Sequence, residues 1–152
     1  MLKIAHPADV ADLIDHEMEP GSWVTVDQQT IDRFAEATGD HQWIHVDSER
    51  AERELPGGKT IAHGYLIVSL LPRLAAEIST FENVSRALNY GSDRVRFTNM
   101  VTVGSRVRLR KTFKSLQKQE NGGYRIAAEC VMEIEGEQRP AVMAEVISLV
   151  FP

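Results

Sequence analysis

The densest run of side chains able to do chemistry is Phe34-Ala-Glu-Ala-Thr-Gly-Asp40-His41-Gln42-Trp43-Ile44-His45, followed eighteen residues later by His63-Gly64. A carboxylate and an imidazole five positions apart across a turn can point into one cleft and hold a water between them, which is the geometry of general acid and base work. A plainer reading is available for each. Asp40 suits the turn after a glycine cap, and His45 suits a core histidine with its polar atoms satisfied. Gly64 adds a third element. At the mouth of a helix the first amides lack internal partners and the dipole is positive. Ala62-His63-Gly64-Tyr65 thus offers N–H donors to a developing oxyanion, and Gly64 has no side chain to block its amide. Water on an ordinary helix start is the alternative.

Elements with readable signatures flank these residues. Pro7 opens a short amphipathic helix carrying Val10, Leu13, Ile14 and Met18, stopped at Pro20-Gly21. A brief strand, Trp23 to Val26, leads to Asp27, a good N-cap for a helix with Ile31, Phe34, Ala35 and Thr38 on one face. Gly39 can end it and present Asp40 at its exit. From Asp40 to Thr60 the sequence reads as irregular, with Pro56-Gly57-Gly58 as a connection. His63 to Thr80 is too uniformly apolar for a surface helix and predicts a buried one, bent or divided near Pro72.

Beyond Thr80 the period becomes alternating. Val95 and Phe97 stand opposite Arg94 and Arg96, and Val107, Leu109 and Phe113 opposite Arg106, Arg108 and Arg110. Asn121-Gly122-Gly123 marks a hairpin, followed by Tyr124, Ile126, Ala128, Cys130, Met132 and Ile134 on one side of a long strand. Ala141 to Phe151 is apolar on both faces except for Glu145 and Ser148 and predicts a strand covered on each side. Four or five antiparallel strands around one apolar helix make a single α+β domain over residues 1–152.

Several function classes drop out on composition. Lys+Arg of 17 against Asp+Glu of 22 leaves a net charge of −5, the wrong sign for a protein that neutralises nucleic-acid phosphates. One cysteine permits no internal disulfide. Ile61 to Leu71, interrupted by His63, Gly64 and Ser69, is too short to span a bilayer, and Asp9, Asp12 and Asp15 are unlike a secretion signal. The expected location is the cytoplasm, away from membranes. Gly57-Gly58-Lys59-Thr60 is no phosphate loop, since Arg53 stands where the first glycine is needed. A metal site from His41, His45, Asp47 and His63 is conceivable, but a four-residue histidine spacing faces one way only on a helix, this stretch reads as a turn, and the His-Glu-x-x-His pattern is absent. Cys130 reads as core, and Glu145 as a subunit contact or an arginine's partner.

In order and spacing, Phe34, Gly39-Asp40, Ile44-His45 and Ala62-His63-Gly64 resemble the signature of the MaoC-like dehydratases, the hot-dog-fold (R)-specific enoyl-CoA hydratases. Gln42 and Trp43 replace the family's usual Asn-Pro and look like the nodulation protein N-like branch. The resemblance extends through Asn89-Tyr90-Gly91, Arg94-Val95-Arg96-Phe97 and Val103-Gly104-Ser105. It implies an antiparallel sheet wrapped around a central helix, and reversible syn hydration of a trans-2-enoyl-CoA to the (3R)-3-hydroxyacyl-CoA. Asp40 and His45 would handle water and protons, and the Gly64 amide would polarise the thioester. His63 and Tyr65 beside it, Asn89, Tyr90 and Gly91 along the acyl pocket, and Arg94 and Arg96 toward the coenzyme phosphates are the implied substrate contacts. The two arginines otherwise form a solvated strand face. No metal or cofactor beyond the coenzyme A thioester substrate is called for, because a pre-placed donor supplies the polarisation.

The alternatives on the same scaffold are a hot-dog thioesterase and a non-catalytic acyl-CoA-binding protein. The former wants a carboxylate beside the central helix, where only Glu77 stands, and the latter would lack the Asp40 and His45 pair. An exposed sheet edge is an aggregation liability that pairing two copies removes, so a homodimer is expected, as in the family.

Overall fold

Alternating apolar and charged residues in the second half of the chain build four long strands, and the computed structural model, which describes residues 1–152, shows them curled around a pair of short helices. The strands are β1 (Leu2–Ile4), β2 (Val24–Thr25), β3 (Ser79–Phe81), β4 (Arg86–Phe97), β5 (Arg106–Lys118), β6 (Tyr124–Ile134) and β7 (Val142–Phe151). The helices are α1 (Gln28–Thr38), α2 (Trp43–Val46), α3 (Ser48–Glu54), α4 (Gly64–Ser69) and α5 (Leu71–Ile78). The main sheet runs β2-β5-β6-β7-β4, antiparallel throughout.

The central apolar segment divides where proline requires it. Pro72 has no N–H for the preceding turn and its ring crowds the carbonyl four residues back, so α4 ends at Ser69 and α5 starts at Leu71. Leu66, Ile67, Leu71, Leu74 and Ile78 of this pair are buried against Val107, Leu109, Met132, Val142 and Ala144 of the sheet. Burying each large aliphatic chain contributes about 1.5–3 kcal/mol, which makes this contact the main source of cohesion around the site. A smaller cluster of Ile4, Val10, Phe113, Tyr124, Ile126, Ala128 and Val150 closes the far end of the sheet.

Local details depart from the sequence reading. The opening amphipathic segment is a 3-10 helix over Pro7–Leu13, shorter than the helix expected to reach Met18. The stretch from Asp40 to Thr60, read as irregular, contains α2 and α3, the second started by Asp47, whose side chain accepts from the Arg50 amide. β1 and β3 pair in parallel outside the main sheet, an association with no local signature. β4 is the long edge strand. Its register against β7 slips between Asn89 and Gly91 and again between Asp93 and Arg96, so Tyr90 and Arg94 sit in bulges, Arg94 at φ 52°. Bulges re-aim side chains and bend the strand. No helix of the structure is long and apolar enough to cross a membrane.

Candidate active site

Three segments converge on one corner. The first is the exit of α1. Asp27 caps its start, accepting from Thr30 N at 2.8 Å, and Gly39, at φ 76°, turns the chain sharply with its N–H on the Ala35 carbonyl. A left-handed backbone of this kind favours glycine. Asp40 follows, exposed, its carboxylate accepting from Gln42 N at 3.4 Å. The second segment is α2, a single turn that carries His45 inward. The third is the extended piece Thr60 to Ala62, tied to residues 101–103 by Ala62 N to Val101 O (2.7 Å) and Val103 N to Thr60 O (2.9 Å), which delivers His63 and Gly64 to the start of α4.

One polar side chain at the start of α1 stitches these segments together. Gln28 Nε2 donates to the His45 carbonyl at 2.8 Å, and Thr60 Oγ1 donates to Gln28 Oε1 at 2.5 Å. Thr60 is 1% exposed, so this amide fixes α2 against the strand that precedes α4. The sequence offers no signal for Gln28 beyond its place one residue after a helix cap. Thr60 falls in the glycine-lysine-threonine run rejected above as a phosphate loop.

The two imidazoles have defined roles because each has one nitrogen on a carbonyl. His45 Nδ1 lies 2.6 Å from the Ile61 oxygen, and His63 Nε2 lies 2.9 Å from the Asp40 backbone oxygen. A carbonyl only accepts, so both of those nitrogens carry hydrogen. The lone pairs left over are on His45 Nε2 and His63 Nδ1, the latter buried without a partner. The rings stack at 3.8 Å and 25°, with Phe34 5.0 Å from His63. His45 is 7% exposed, and burial chiefly holds its pKa below the ordinary 6.5; a charge on His63 acts in the same direction, while the Ile61 carbonyl and the Asp40 charge oppose it. A neutral imidazole with a free Nε2 is a base ready to accept a proton.

Ligand-type atoms of Asp40, His45 and His63 all lie within 4.8 Å of one another. In composition this donor set would suit a divalent metal. The stack does not, because a ligated ion lies in the plane of each imidazole that holds it, and these two nearly parallel planes do not meet at bonding distance. The three groups stand together at the start of α4.

Gly64 borders a mostly apolar groove of about 310 Å³ whose wall also holds His45, Tyr65, Phe97, Asn99, Met100 and Val142. A Cβ placed on Gly64 would stand 2.8 Å from the Phe97 ring. Any larger residue here would have to displace the Phe97 ring. Tyr65, 71% exposed, sits edge-on to Phe97 at 5.6 Å.

Four expected site residues, Asp40, His45, His63 and Gly64, thus come together, with Tyr65 at the rim. The others lie along β4. Asn89, Tyr90 and Gly91 border a separate depression against Ser69, Leu71 and Pro72, where α4 passes into α5. Arg94 pairs with Glu145 across the sheet at 2.6 Å, which accounts for the isolated acid of β7, and Arg96 donates to the Val95 carbonyl. The Arg106, Arg108 and Arg110 row is an ion-pair ladder with Glu135, Glu133 and Glu17, with Arg108 also 4.5 Å over the Trp23 ring. Cys130 is buried and its thiol pushed up to about 11, so it is core and not a nucleophile. Glu77 is far along α5, near Gly21.

Comparison with known proteins is in keeping with this geometry. Residues 9–130 match the family described as MaoC like domain. The chain is 44% identical over 140 residues to 3-hydroxyacyl-thioester dehydratase Z of Mycobacterium tuberculosis, covering 92% of each. It is 45% identical over 144 residues to nodulation protein N of Rhizobium leguminosarum bv. viciae, covering 94% of this chain and 89% of that one. The solved (R)-hydratase of A. caviae involved in PHA biosynthesis superposes with a TM-score of 0.67 at 19% identity, over 86% of this chain and 96% of the other. Fold, site motif and relatives agree that the chain belongs to the MaoC-like dehydratases of the hot-dog fold, an enzyme of the hydro-lyase class.

Proposed function

We propose that the protein catalyses the reversible syn hydration of a trans-2-enoyl-CoA to the (3R)-3-hydroxyacyl-CoA. The observation that carries this reading is the convergence of the Asp40 carboxylate with ring nitrogens of His45 and His63, both anchored to backbone carbonyls, next to Gly64. A water held between Asp40 and His45 Nε2 gives up one proton as its oxygen bonds to C3 of the enoyl group. C2 receives a proton on the same face, so the net change is addition of H and OH across the double bond. The Gly64 amide donates to the thioester oxygen while enolate charge develops there. The preorganised donor and the neutral base account for the chemistry with the chain's own groups. Tyr65 and the Asn89 to Gly91 stretch guide the acyl group, and Arg94 and Arg96 stand toward the coenzyme, in competition with Glu145 for the former.

Two chains form the working unit in this reading, in the cytoplasm. β4 presents twelve residues at an open edge, with Leu88, Tyr90 and Phe97 each 47–64% exposed. An edge of this length invites pairing, and Phe97 joins it to the site. Sedimentation is expected to give a dimer, and an active monomer would refute this part.

The reaction is tested by the absorbance of crotonyl-CoA. Hydration removes the conjugated band and leaves the thioester intact. Release of free thiol would point to a thioesterase, whose hydrolysis also destroys the conjugated thioester, and no change in either band or thiol to a binding protein.

A further inference from the structure

About one short helix away from Gly64 lies a second internal space that the chemistry above does not use. It measures about 90 Å³, roughly three water molecules' share of volume, between the start of α5 and the inner face of the sheet. Apolar side chains form most of its wall, and Lys111 is part of it.

Lys111 is out of place by the rules of its strand. The inward row of β5 runs Val107, Leu109, Lys111, Phe113, and the other three are no more than 2% exposed. Its partner across the ladder is buried Cys130. The ammonium donates to Ser79 Oγ at 2.9 Å and lies 4.5 Å from the centre of the Phe113 ring. No carboxylate pairs with it, although Arg94, Arg106, Arg108, Arg110 and Lys114 each have one. An ammonium has three donors, so two are left without a protein acceptor. Lys111 is only partly exposed, and shielding a charge from water without a charged partner is costly. Burial accordingly holds this group below the ordinary lysine range.

The space has a way in. Leu71, Pro72, Asn89 and Val146 line both this cavity and the outer depression bordered by Tyr90 and Gly91. Asn89 and Ser148, cross-strand partners, are further polar groups in the wall. Helical rise places Leu71 and Pro72 about 10–12 Å from Gly64, beyond the reach of a four-carbon acyl group.

We infer that the cavity receives the far end of the acyl chain and that Lys111 selects chains ending in a carboxylate, so that the preferred substrate is the monothioester of an unsaturated dicarboxylic acid. This inference rests on the thioester hydratase reading, and it names a terminal group which that reading leaves open. The incoming carboxylate meets the two idle ammonium donors, and its methylenes meet the apolar wall.

The test compares hydration of trans-2-octenoyl-CoA with that of the same chain ended by a carboxylate. Wild-type protein is expected to favour the carboxylate-ended chain by about tenfold or more in kcat/KM, the scale of one charge-assisted hydrogen bond. In Lys111→Met this ratio falls by at least that factor. A wild-type preference for the plain chain, or a ratio that Lys111→Met leaves unmoved, overturns the proposal. Calorimetry with octanoate and octanamide reads the cavity without turnover. Tighter octanoate binding in wild type, lost in the variant, is expected, and equal binding of the two overturns the role of Lys111 even if both octenoyl thioesters are hydrated. Failure to hydrate either octenoyl thioester with the octanoate preference intact instead overturns the reaction.

Discussion

The corner that holds His45 and His63 and the cavity that holds Lys111 both take titratable groups out of water, and they treat them in opposite ways. Burial is the main cause that lowers the pKa of His45 in the one and of Lys111 in the other. At the corner each ring is tied to a backbone carbonyl and pressed against the other, so each free lone pair has one direction. In the cavity a four-carbon stem carries an ammonium with a single hydroxyl partner. Proton transfer depends on direction and distance within fractions of an ångström, whereas attraction between charges tolerates a moving arm. The same physical cost, desolvation, thus falls on a rigid, directed base in one place and on a mobile ammonium in the other, in keeping with the catalytic and recognition roles proposed for them.

This contrast can be broken or sharpened by experiment. Asp40→Asn keeps the shape and removes the charge. It is expected to leave the thermal midpoint nearly unchanged and to lower kcat by on the order of 10²-fold or more, the scale of a positioned acid or base; near-normal crotonyl-CoA turnover would remove Asp40 from the chemistry. Gln28→Ala leaves the His45 carbonyl and the Thr60 hydroxyl unpaired and should cost about 1–3 kcal/mol in a denaturant titration. It should also lower kcat, because α2 loses its tie, and a loss of stability with kcat intact would show that the corner does not need that rigidity. Lys111→Met is expected to raise stability by about 1 kcal/mol, since an apolar chain of similar length replaces an unpaired charge. A strong loss of stability would mean that the ammonium is held by the fold itself.

The smallest effect is in pH. Because the folded pKa of His45 is below 6.5, the unfolded chain takes up a proton that the fold refuses between 6.5 and that lower value. Stability from this group is complete above pH 6.5, falls as pH drops through the window and levels off below it. His45→Gln should flatten that part of a stability–pH curve, and an unchanged slope would show that His45 is not its source.

Much of this arrangement was legible in the residues. Asp27, Gly39 and Pro72 mark the ends of α1 and the break between α4 and α5 because caps and prolines act through the local backbone. The order of Gly39-Asp40, His45 and His63-Gly64 located the corner. Alternation along β5 exposed its arginine face but passed over Lys111, since a lysine in an inward slot is visible only once the register of the ladder is known. The helices α2 and α3 were missed because four and seven residues are too few for a helical period to stand out.

Sequence alone determined the long strands β4 to β7, the helix α1 and the divided apolar helix, the faces most of them bury and which side chains are candidates for chemistry, because each of these depends on neighbours a few positions away. Tertiary structure decided the tautomers of the two histidines, the Gln28 tie between α1, α2 and Thr60, the parallel pairing of β1 with β3, the bulges that turn Tyr90 and Arg94, and the placing of the Lys111 ammonium in a cavity wall without a carboxylate partner. Those outcomes depend on hydrogen bonds and contacts between residues far apart in the chain, for which no local pattern exists.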